Sequence, residues 1–372
     1  MALFDSSGSG CGAGSATAST TVGMLIPIWQ RVLERPGIGI DDNFFDAGGN
    51  VHSADRLFRE IQRECGRELP SSTIFHAPTI ASLAALLEQT VLPQFSPFIR
   101  LKAGSVEPPI LMAHGLGGRA RFSQLAKHIQ TCHPIYGIQA RGIDGREEPF
   151  DRIEDMAEFY LGALNQVQQE GPYILIGYSF GGLVALEMAQ RLFAMGKNIG
   201  LLVLVDAYPH PRYMSAGQRL RLSVQRAGRH VSEMRQRPIK GAISYFISGL
   251  KHRMRIAQNH SGSPVPEAPR LSLARTTLQV QKKAYLALAR YRPQPYPGKI
   301  KFVKSESDSY FPGDPVPVWA NLATSLEVET VPGSHLNMVT THFESLAAIL
   351  SRYVNEAFSS LPNGAEETVG KS

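Results

Sequence analysis

The chain has 372 residues, a formal net charge of +6 and 43% hydrophobic residues. These values predict two folded domains, or one large one, and exclude a collagen-like or wholly disordered chain. Its cysteines, Cys11, Cys65 and Cys132, are odd in number and form no CxxC pair, which argues against a disulfide framework or a zinc site and favours a reducing compartment. Neither a secretory signal nor an apolar run of ~20 residues is found. We therefore expect a cytoplasmic protein that does not enter a membrane.

The N-terminal part of the chain divides into a tail and a helical segment. Residues 1–22 are rich in Ser, Gly, Ala and Thr, so we predict a disordered tail there, and a second one over residues 359–372. Residues 23–90 carry apolar side chains at helical spacing in three stretches, with Gly and Pro in the connections. This pattern predicts a small bundle of three helices.

From residue 98 to residue 358, apolar runs alternate with helical stretches. Such alternation predicts an α/β fold with a mostly parallel sheet that helices cover on both faces. Residues 209–292 interrupt the alternation; they are helical by pattern and are predicted to be an insertion between two strands. The predicted strands are Ile110–Ala113, Ile135–Ile138, Tyr173–Ile176, Leu201–Val205, Ile300–Val303 and Leu326–Thr330.

A nucleophile motif lies at the junction of a predicted strand and a predicted helix. The run Gly177-Tyr178-Ser179-Phe180-Gly181 has the G-x-S-x-G pattern in the strand–turn–helix setting that a nucleophile elbow requires. Glycines on both sides allow a sharp turn that raises the serine hydroxyl above the sheet. Ser179 is therefore the predicted nucleophile.

The base and the acid must follow the nucleophile, since the chain order in α/β-hydrolases is Ser, acid, His. His335 lies after the last predicted strand and before the last helix, which is the position of the base. Asp206 and Asp308 each follow a predicted strand, and position alone does not separate them. The histidines judged less suitable lie in or beside the insertion or in the approach to the last helix: His210, His230, His252, His260 and His342.

The run His114-Gly-Leu-Gly-Gly follows the first predicted strand. Small residues there let a main-chain N–H turn toward an oxyanion, so the N–H groups of Leu116 and Phe180 are the predicted oxyanion hole. We expect a structural role for His114, because it precedes Ser179 in the chain.

The run GPYILIGYSFGGLVALEMAQRL (residues 171–192), with QARGIDG (139–145) and IEDMA (153–157) before it, resembles the type I thioesterase domain of nonribosomal peptide and polyketide synthetases. The resemblance extends over about residues 98–358. It implies that the acid follows the strand after the nucleophile helix, so Asp206 is preferred to Asp308. It also implies a helical lid at about residues 209–292 and release of acyl or peptidyl chains from a carrier.

The runs DNFFDAGG (residues 42–49) and FHAPTIASL (75–83) resemble a peptidyl carrier domain. The resemblance implies a Gly-Gly-x-Ser motif with phosphopantetheine on the serine, but here Val51 stands at that position. Ser53 would need a shift of register on both sides, so we do not expect it to be the acceptor. We therefore expect this chain to bind no cofactor and no metal, with phosphopantetheine present on the carrier of its substrate.

Basic residues are concentrated in the predicted insertion. Between Arg212 and Arg292 there are seventeen Lys or Arg residues and only two acids, Glu233 and Glu267. Such a run is either a solvated helical face or an attractant for an anion, such as an acidic carrier or a phosphopantetheine phosphate. Nucleic acid is not expected, because no nucleic-acid motif accompanies the charge.

The sequence thus predicts a thioesterase that works through an acyl-serine intermediate on substrates from upstream synthetase modules or carrier proteins. A carboxylester hydrolase would use the same triad. A non-catalytic docking module with a degenerate carrier domain is a third possibility, which Val51 favours and the complete triad opposes.

Overall fold

A computed structural model of the protein contains two compact units. It describes residues 13–89, 95–118, 122–211, 214–217, 219–220, 223–224, 272–307 and 314–360. The first unit comprises Met1–Ser96, Gly142–Glu148 and Pro269–Gln279, and the second comprises Pro97–Arg141, Pro149–Ala268 and Val280–Ser372. None of the described helices is both long enough and apolar enough to span a bilayer.

The first unit contains three helices, α1 (Ala13–Leu33), α2 (Val51–Cys65) and α3 (Ile80–Leu87), and a 3₁₀ turn over Ser71–Phe75. Helix α1 packs against both other helices, because apolar residues three and four positions apart share one face of each helix. The predicted bundle of three helices is thus present. Its fully buried side chains include Leu25, Ile28, Trp29, Phe44, Leu57, Ile61 and Leu83.

The predicted start of α1 was wrong. The helix begins at Ala13, whereas the sequence predicted a disordered tail over residues 1–22 and a helical segment only from residue 23. Adding residues to an existing helix is much easier than nucleating one. The segment packed over Leu25 to Leu33 therefore extends through the preceding Ala, Ser and Thr residues. Residues 1–12 and 361–372 of the predicted tails lie outside the described part of the chain.

The second unit is built on a sheet of seven strands in the order β1-β3-β2-β4-β5-β6-β7. Every neighbouring pair is parallel except β1 with β3, which confirms the predicted mostly parallel α/β fold. The strands are β1 (Phe98–Lys102), β2 (Ile110–Ala113), β3 (Ile135–Ile138), β4 (Tyr173–Tyr178), β5 (Ile199–Val205), β6 (Tyr296–Ser307) and β7 (Ala323–Ser334).

Helices between the strands cover both faces of the sheet. In β4, Leu175 belongs to one buried cluster and its neighbours Ile174 and Ile176 belong to another. Alternate side chains of a strand point to opposite faces, so a central strand covered on both sides needs a continuous apolar run. The helices are α4 (Ser123–His128), α5 (Ile153–Gly162), α6 (Phe180–Ala194), α7 (Leu273–Arg290), α8 (Val316–Trp319), α9 (Asn337–Thr340) and α10 (Phe343–Ser359).

The sequence missed β1 and predicted β6 and β7 too short. Strand β1 lies at an edge, and only Phe98 of its five residues is buried, so it has no apolar run. Strands β6 and β7 pair from Tyr296 opposite Ala323 to Ser307 opposite Ser334. Their outer parts carry many polar residues, so only the apolar centre of each strand was recognisable.

Strand β7 forms the other edge of the described sheet. Its Glu327 pairs with Lys299, and its Glu329 pairs with Arg352. Pro332 near its end is exposed and has no main-chain N–H to donate. This long edge strand therefore carries charged side chains, and one of its residues has no main-chain N–H to donate.

Most of the predicted insertion over residues 209–292, with most of its basic residues, lies outside the described part of the chain. Helix α7 belongs to its last third. In α7, Lys283 and Arg290 lie 3.7 Å and 3.0 Å from the carboxylate of Asp151. These two cations are therefore at least partly neutralised within their own unit.

The start of α7 is held inside the first unit. The carboxylate of Asp55 in α2 accepts hydrogen bonds from the main-chain N–H of Leu273 at 2.8 Å and from the hydroxyl of Ser272 at 2.8 Å. A carboxylate at this place satisfies N–H groups that have no acceptor within the helix. Helix α2 thus contributes a cap as well as core side chains.

Truncation of a core leucine tests this packing. Leu350 in α10 is fully buried, so Leu350→Ala should destabilise the second unit by about 2–5 kcal/mol through lost contacts and a residual cavity. Leu286→Ala in α7, where the side chain is 46% exposed, should change stability by no more than about 0.5 kcal/mol. Chemical denaturation measures both variants. Equal effects would contradict the assignment of Leu350 to the core.

Candidate active site

Ser179 occupies a strained turn between β4 and α6. Its φ is +57° and its ψ is −123°, a conformation that costs a non-glycine residue about 1–3 kcal/mol unless the surrounding structure enforces it. Side chains on Gly177 or Gly181 would clash with main-chain atoms of the turn or of the end of β2. The glycines of the motif are therefore required by close approach of the main chain.

His335 links Ser179 to Asp206. The Nε2 atom of His335 lies 3.0 Å from Ser179 Oγ, and its Nδ1 atom lies 2.9 Å from Asp206 Oδ2. Ser179 is only 7% exposed and Asp206 only 2%. The three residues directly follow β4, β7 and β5, whose carboxyl ends meet at one edge of the sheet. The structure thus brings together the predicted nucleophile, base and acid.

Asp206 has a second partner that the sequence did not indicate. Ser305 in β6 donates from its hydroxyl to Asp206 Oδ2 at 2.9 Å and from its main-chain N–H to Oδ1 at 3.4 Å. Ser305 is itself 5% exposed. These donors orient the carboxylate and stabilise its charge. A single serine within a strand carries no motif, so only the fold reveals it.

Tyr178, the residue before Ser179, contacts His335 through both its ring and its hydroxyl. Its ring stacks on the imidazole with centroids 4.9 Å apart and an interplanar angle of 17°. Its hydroxyl donates to the carbonyl oxygen of His335 at 2.7 Å. Burial, with the nearby charge of Asp206, raises the pKa of the Tyr178 phenol, so the hydroxyl stays protonated and keeps donating.

The predicted oxyanion donors lie in two turns. Phe180 is the first residue of α6, where a main-chain N–H has no acceptor within the helix. Leu116 lies in the turn closed by the hydrogen bond from Gly118 N–H to the Gly115 carbonyl oxygen, at 3.0 Å. Both assignments stay predictions.

His114 is buried behind these turns. Its Nδ1 lies 2.7 Å from the carbonyl oxygen of Gly115 and its Nε2 lies 3.0 Å from the hydroxyl of Tyr160. A carbonyl oxygen only accepts, so Nδ1 carries the proton and Nε2 accepts from Tyr160. Burial lowers the pKa of His114 to about 4, which keeps the ring neutral. Its contacts are those of a residue that fixes the Gly115 turn.

The alternative residues are not in this arrangement or are not described. Asp308 and the histidines at 230, 252 and 260 lie outside the described part of the chain. His342 is the residue before α10, and His210 follows β5 by five residues. Among the described residues, no group of His, Cys, Asp and Glu side chains could hold a metal ion.

A buried Ser–His–Asp series at the carboxyl ends of parallel strands defines a serine hydrolase of the α/β-hydrolase fold. The family model "Thioesterase domain" matches residues 108–353, more than half of the chain. The chain therefore belongs to the thioesterase domain family. The model "Phosphopantetheine attachment site" matches residues 25–87, so a carrier-type domain precedes the thioesterase domain, and phosphopantetheine is the group that this carrier family holds.

Similar proteins include large synthetases. The dimodular nonribosomal peptide synthase of Bacillus subtilis (strain 168) is 41% identical over 192 residues, which are 50% of this chain and 8% of that protein. The indigoidine synthase of Streptomyces lavendulae is 37% identical over 183 residues, 49% of this chain and 14% of that protein. The chain thus spans a small part of these relatives.

A solved four-domain nonribosomal peptide synthetase, with AMP and glycine bound, has a similar fold. The match covers 97% of this chain and 27% of the synthetase chain, with a TM-score of 0.52 and 21% sequence identity. At this identity the likeness concerns the fold alone.

A methyl group on Gly181 should disrupt the elbow. It would meet the main-chain oxygens of His114 and Ala113 at less than van der Waals distance. Gly181→Ala should therefore cost about 1–3 kcal/mol of stability and slow the labelling of Ser179 by a fluorophosphonate. Gly162→Ala, at an exposed position with nothing within 4 Å of the new methyl, should be neutral or stabilising by up to about 1 kcal/mol. Wild-type labelling by Gly181→Ala would contradict the close approach.

His114 should make stability depend on pH. Its pKa is about 4 in the folded protein and 6.5 in the unfolded chain, so unfolding binds a proton between these values. The contribution is complete above pH 6.5 and is lost toward pH 4, by about 3 kcal/mol in total.

Denaturant unfolding of wild type and His114→Gln at several pH values measures this loss. The variant should lose less stability than wild type between pH 6.5 and pH 4, whatever its direct cost at pH 8. Parallel curves for the two proteins would show that His114 is not a buried neutral residue.

Proposed function

We propose that this chain cleaves acyl thioesters, releasing an acyl or peptidyl chain from a phosphopantetheine thiol by hydrolysis or by cyclisation. Ser179 is the nucleophile, His335 the base and Asp206 the acid that orients it. The observation that carries the proposal is the hydrogen-bonded series Ser179–His335–Asp206, at 3.0 Å and 2.9 Å, within a chain of the thioesterase domain family.

The first half-reaction transfers the acyl group to the enzyme. His335 Nε2 takes the proton of the Ser179 hydroxyl as Oγ attacks the thioester carbonyl carbon. The main-chain N–H groups of Leu116 and Phe180 stabilise the oxygen that becomes negative. When the tetrahedral intermediate collapses, the carbon–sulfur bond breaks and the imidazolium returns the proton to the leaving thiolate. The products are a free thiol and an ester on Ser179.

The second half-reaction frees the chain. Water, or a hydroxyl or amine of the acyl chain itself, gives a proton to His335 and attacks the ester carbonyl. The Ser179 oxygen leaves and recovers the proton from the imidazolium. Water yields a carboxylic acid, and an internal nucleophile yields a lactone or a lactam.

The surroundings of the imidazole suit these proton transfers. The buried Asp206 carboxylate stabilises the imidazolium that forms in each half-reaction. Ser305 keeps the carboxylate oriented through two hydrogen bonds, and the stacked ring of Tyr178 fixes the plane of the imidazole. An imidazole whose carboxylate partner and ring plane are both fixed needs little reorganisation as the charge develops.

We infer that the partners are upstream synthetase modules or carrier proteins that deliver a thioester. The relatives named as peptide synthases support this inference, as does the carrier-type domain. The free thiols of Cys65 and Cys132, both exposed, favour a reducing compartment such as the cytoplasm.

Replacing the nucleophile tests the mechanism. Ser179→Ala should lower kcat/KM for an acyl-pantetheine thioester by at least about 10³-fold and abolish labelling by a fluorophosphonate. Ser223→Ala, which changes an exposed serine, should keep both properties. If Ser179→Ala cleaved thioesters at the wild-type rate, the assignment of the nucleophile would be wrong.

The same assay with matched substrates separates the rival functions. A thioester and an oxygen ester with the same acyl group should differ in kcat/KM in favour of the thioester. Equal or better cleavage of the oxygen ester would indicate a carboxylester hydrolase. A folded wild-type protein that neither reacts with fluorophosphonate nor cleaves either substrate would indicate a non-catalytic docking module.

A further inference from the structure

The carrier-type domain of this chain does not fit the prosthetic group of its family. Attachment of phosphopantetheine requires a hydroxyl oxygen that attacks the phosphorus of coenzyme A and displaces adenosine 3′,5′-bisphosphate, while the hydroxyl gives up its proton. The first residue of α2 is Val51, whose side chain has only carbon and hydrogen. The acceptor must therefore be another residue, or be absent.

Ser53, the nearest hydroxyl, is occupied by the start of its own helix. Its Oγ accepts a hydrogen bond from Asn50 N–H at 2.7 Å and donates its proton to the Asn50 carbonyl oxygen at 3.0 Å. In return, Asn50 Oδ1 accepts from the N–H groups of His52 and Ser53 at 2.9 Å and 3.1 Å. This is a complete capping box, and attachment of phosphopantetheine to Ser53 would remove the proton that its hydroxyl donates to the Asn50 carbonyl oxygen.

The remaining hydroxyls of residues 25–87, all of which the structure describes, are also unavailable. Ser71, Ser72 and Thr73 are at most 7% exposed. Thr79 and Ser82 form a second capping box at the start of α3: Ser82 Oγ accepts from Thr79 N–H at 3.0 Å, and Thr79 Oγ1 accepts from Ser82 N–H at 3.1 Å. Every hydroxyl in the matched segment is thus buried or used to begin a helix.

We infer that the carrier-type domain of this chain holds no phosphopantetheine. On the proposed function, the acyl chain must then reach Ser179 on a pantetheine thiol that lies outside this carrier-type domain. The domain keeps its fold, and its α2 supplies core side chains and the Asp55 cap within the first unit. The domain thus has the helices of a carrier but no available hydroxyl to accept phosphopantetheine.

Intact-mass measurement tests the inference directly. The chain is incubated with coenzyme A and a phosphopantetheinyl transferase of broad specificity, and a loadable carrier protein in the same tube shows that the transferase is active. Wild type should gain no mass while the carrier protein is fully loaded. A gain of one phosphopantetheine group by wild type would overturn the inference.

Two variants locate the missing acceptor. Val51→Ser should gain one phosphopantetheine group, and Val51→Ala, which also lacks a hydroxyl, should gain none. If wild type and Val51→Ala both gain the group and Ser53→Ala does not, Ser53 is the acceptor and the inference is wrong. If no variant gains it, wild type is still unloaded, and the surface that the transferase recognises has been lost as well.

A separate assay tests the external source of the substrate. The unloaded chain should release an acyl group from a separately loaded acyl-carrier protein, and Ser179→Ala should not. If release required phosphopantetheine on the chain itself, the inference that the acyl chain arrives on a separate carrier would be wrong. Fluorophosphonate labelling of Ser179 needs no carrier, so failure of the catalytic proposal is distinguishable from failure of this inference.

Discussion

The site depends on one strained residue. Ser179 holds a positive φ in a chain that gains nothing locally from it, so the strain must be offset by the packing on either side. The end of β2 approaches α6 so closely that Gly181 has no room for a side chain. The Ser179 main-chain N–H also donates to the Val205 carbonyl oxygen at 2.8 Å. The main chain of Ser179 is thus held in this conformation by its neighbours in the sheet and in α6.

The register of the parallel strands carries that placement to the other residues. Tyr178 lies opposite Val205, and Val205 lies opposite Val303. The next residue of each strand therefore continues the row, with Ser179 beside Asp206. The Asp206 N–H donates to the Val303 carbonyl oxygen at 2.7 Å. A shift of one residue between β4 and β5 would separate Ser179 from Asp206, so the arrangement of the site depends on this register.

The sequence alone predicts those residues of the candidate site that have a chain order or a motif. Ser179 follows from its glycines, and His335 follows from its place after the last strand. Asp206 and Asp308 could not be separated by position, because each follows a strand; the family resemblance was needed. Ser305 and the support from Tyr178 could not be foreseen, because they arise from contacts between strands that are distant in the chain.

The elements of the fold likewise divide into those that the sequence predicted and those that it missed. Central strands such as β2 and β3 were predicted residue for residue, because burial on both faces requires an uninterrupted apolar run. Strand β1 was missed because an edge strand needs no such run. The start of α1 at Ala13 was missed because helix extension depends on a packed segment further along the chain, and weak helix formers give no local signal of it.

The charged edge of the sheet has a consequence for the behaviour of the protein in concentrated solution. Strand β7 offers a long row of main-chain donors and acceptors on its outer side, which is a template for pairing with another chain. Glu327 and Glu329, paired with Lys299 and Arg352, place charged side chains on this strand, and Pro332 has no main-chain N–H to donate. Each ion pair adds little folding energy at such exposure. We expect the charged side chains and the proline to act mainly against pairing of this edge with another chain, an effect that salt should weaken by screening the charges.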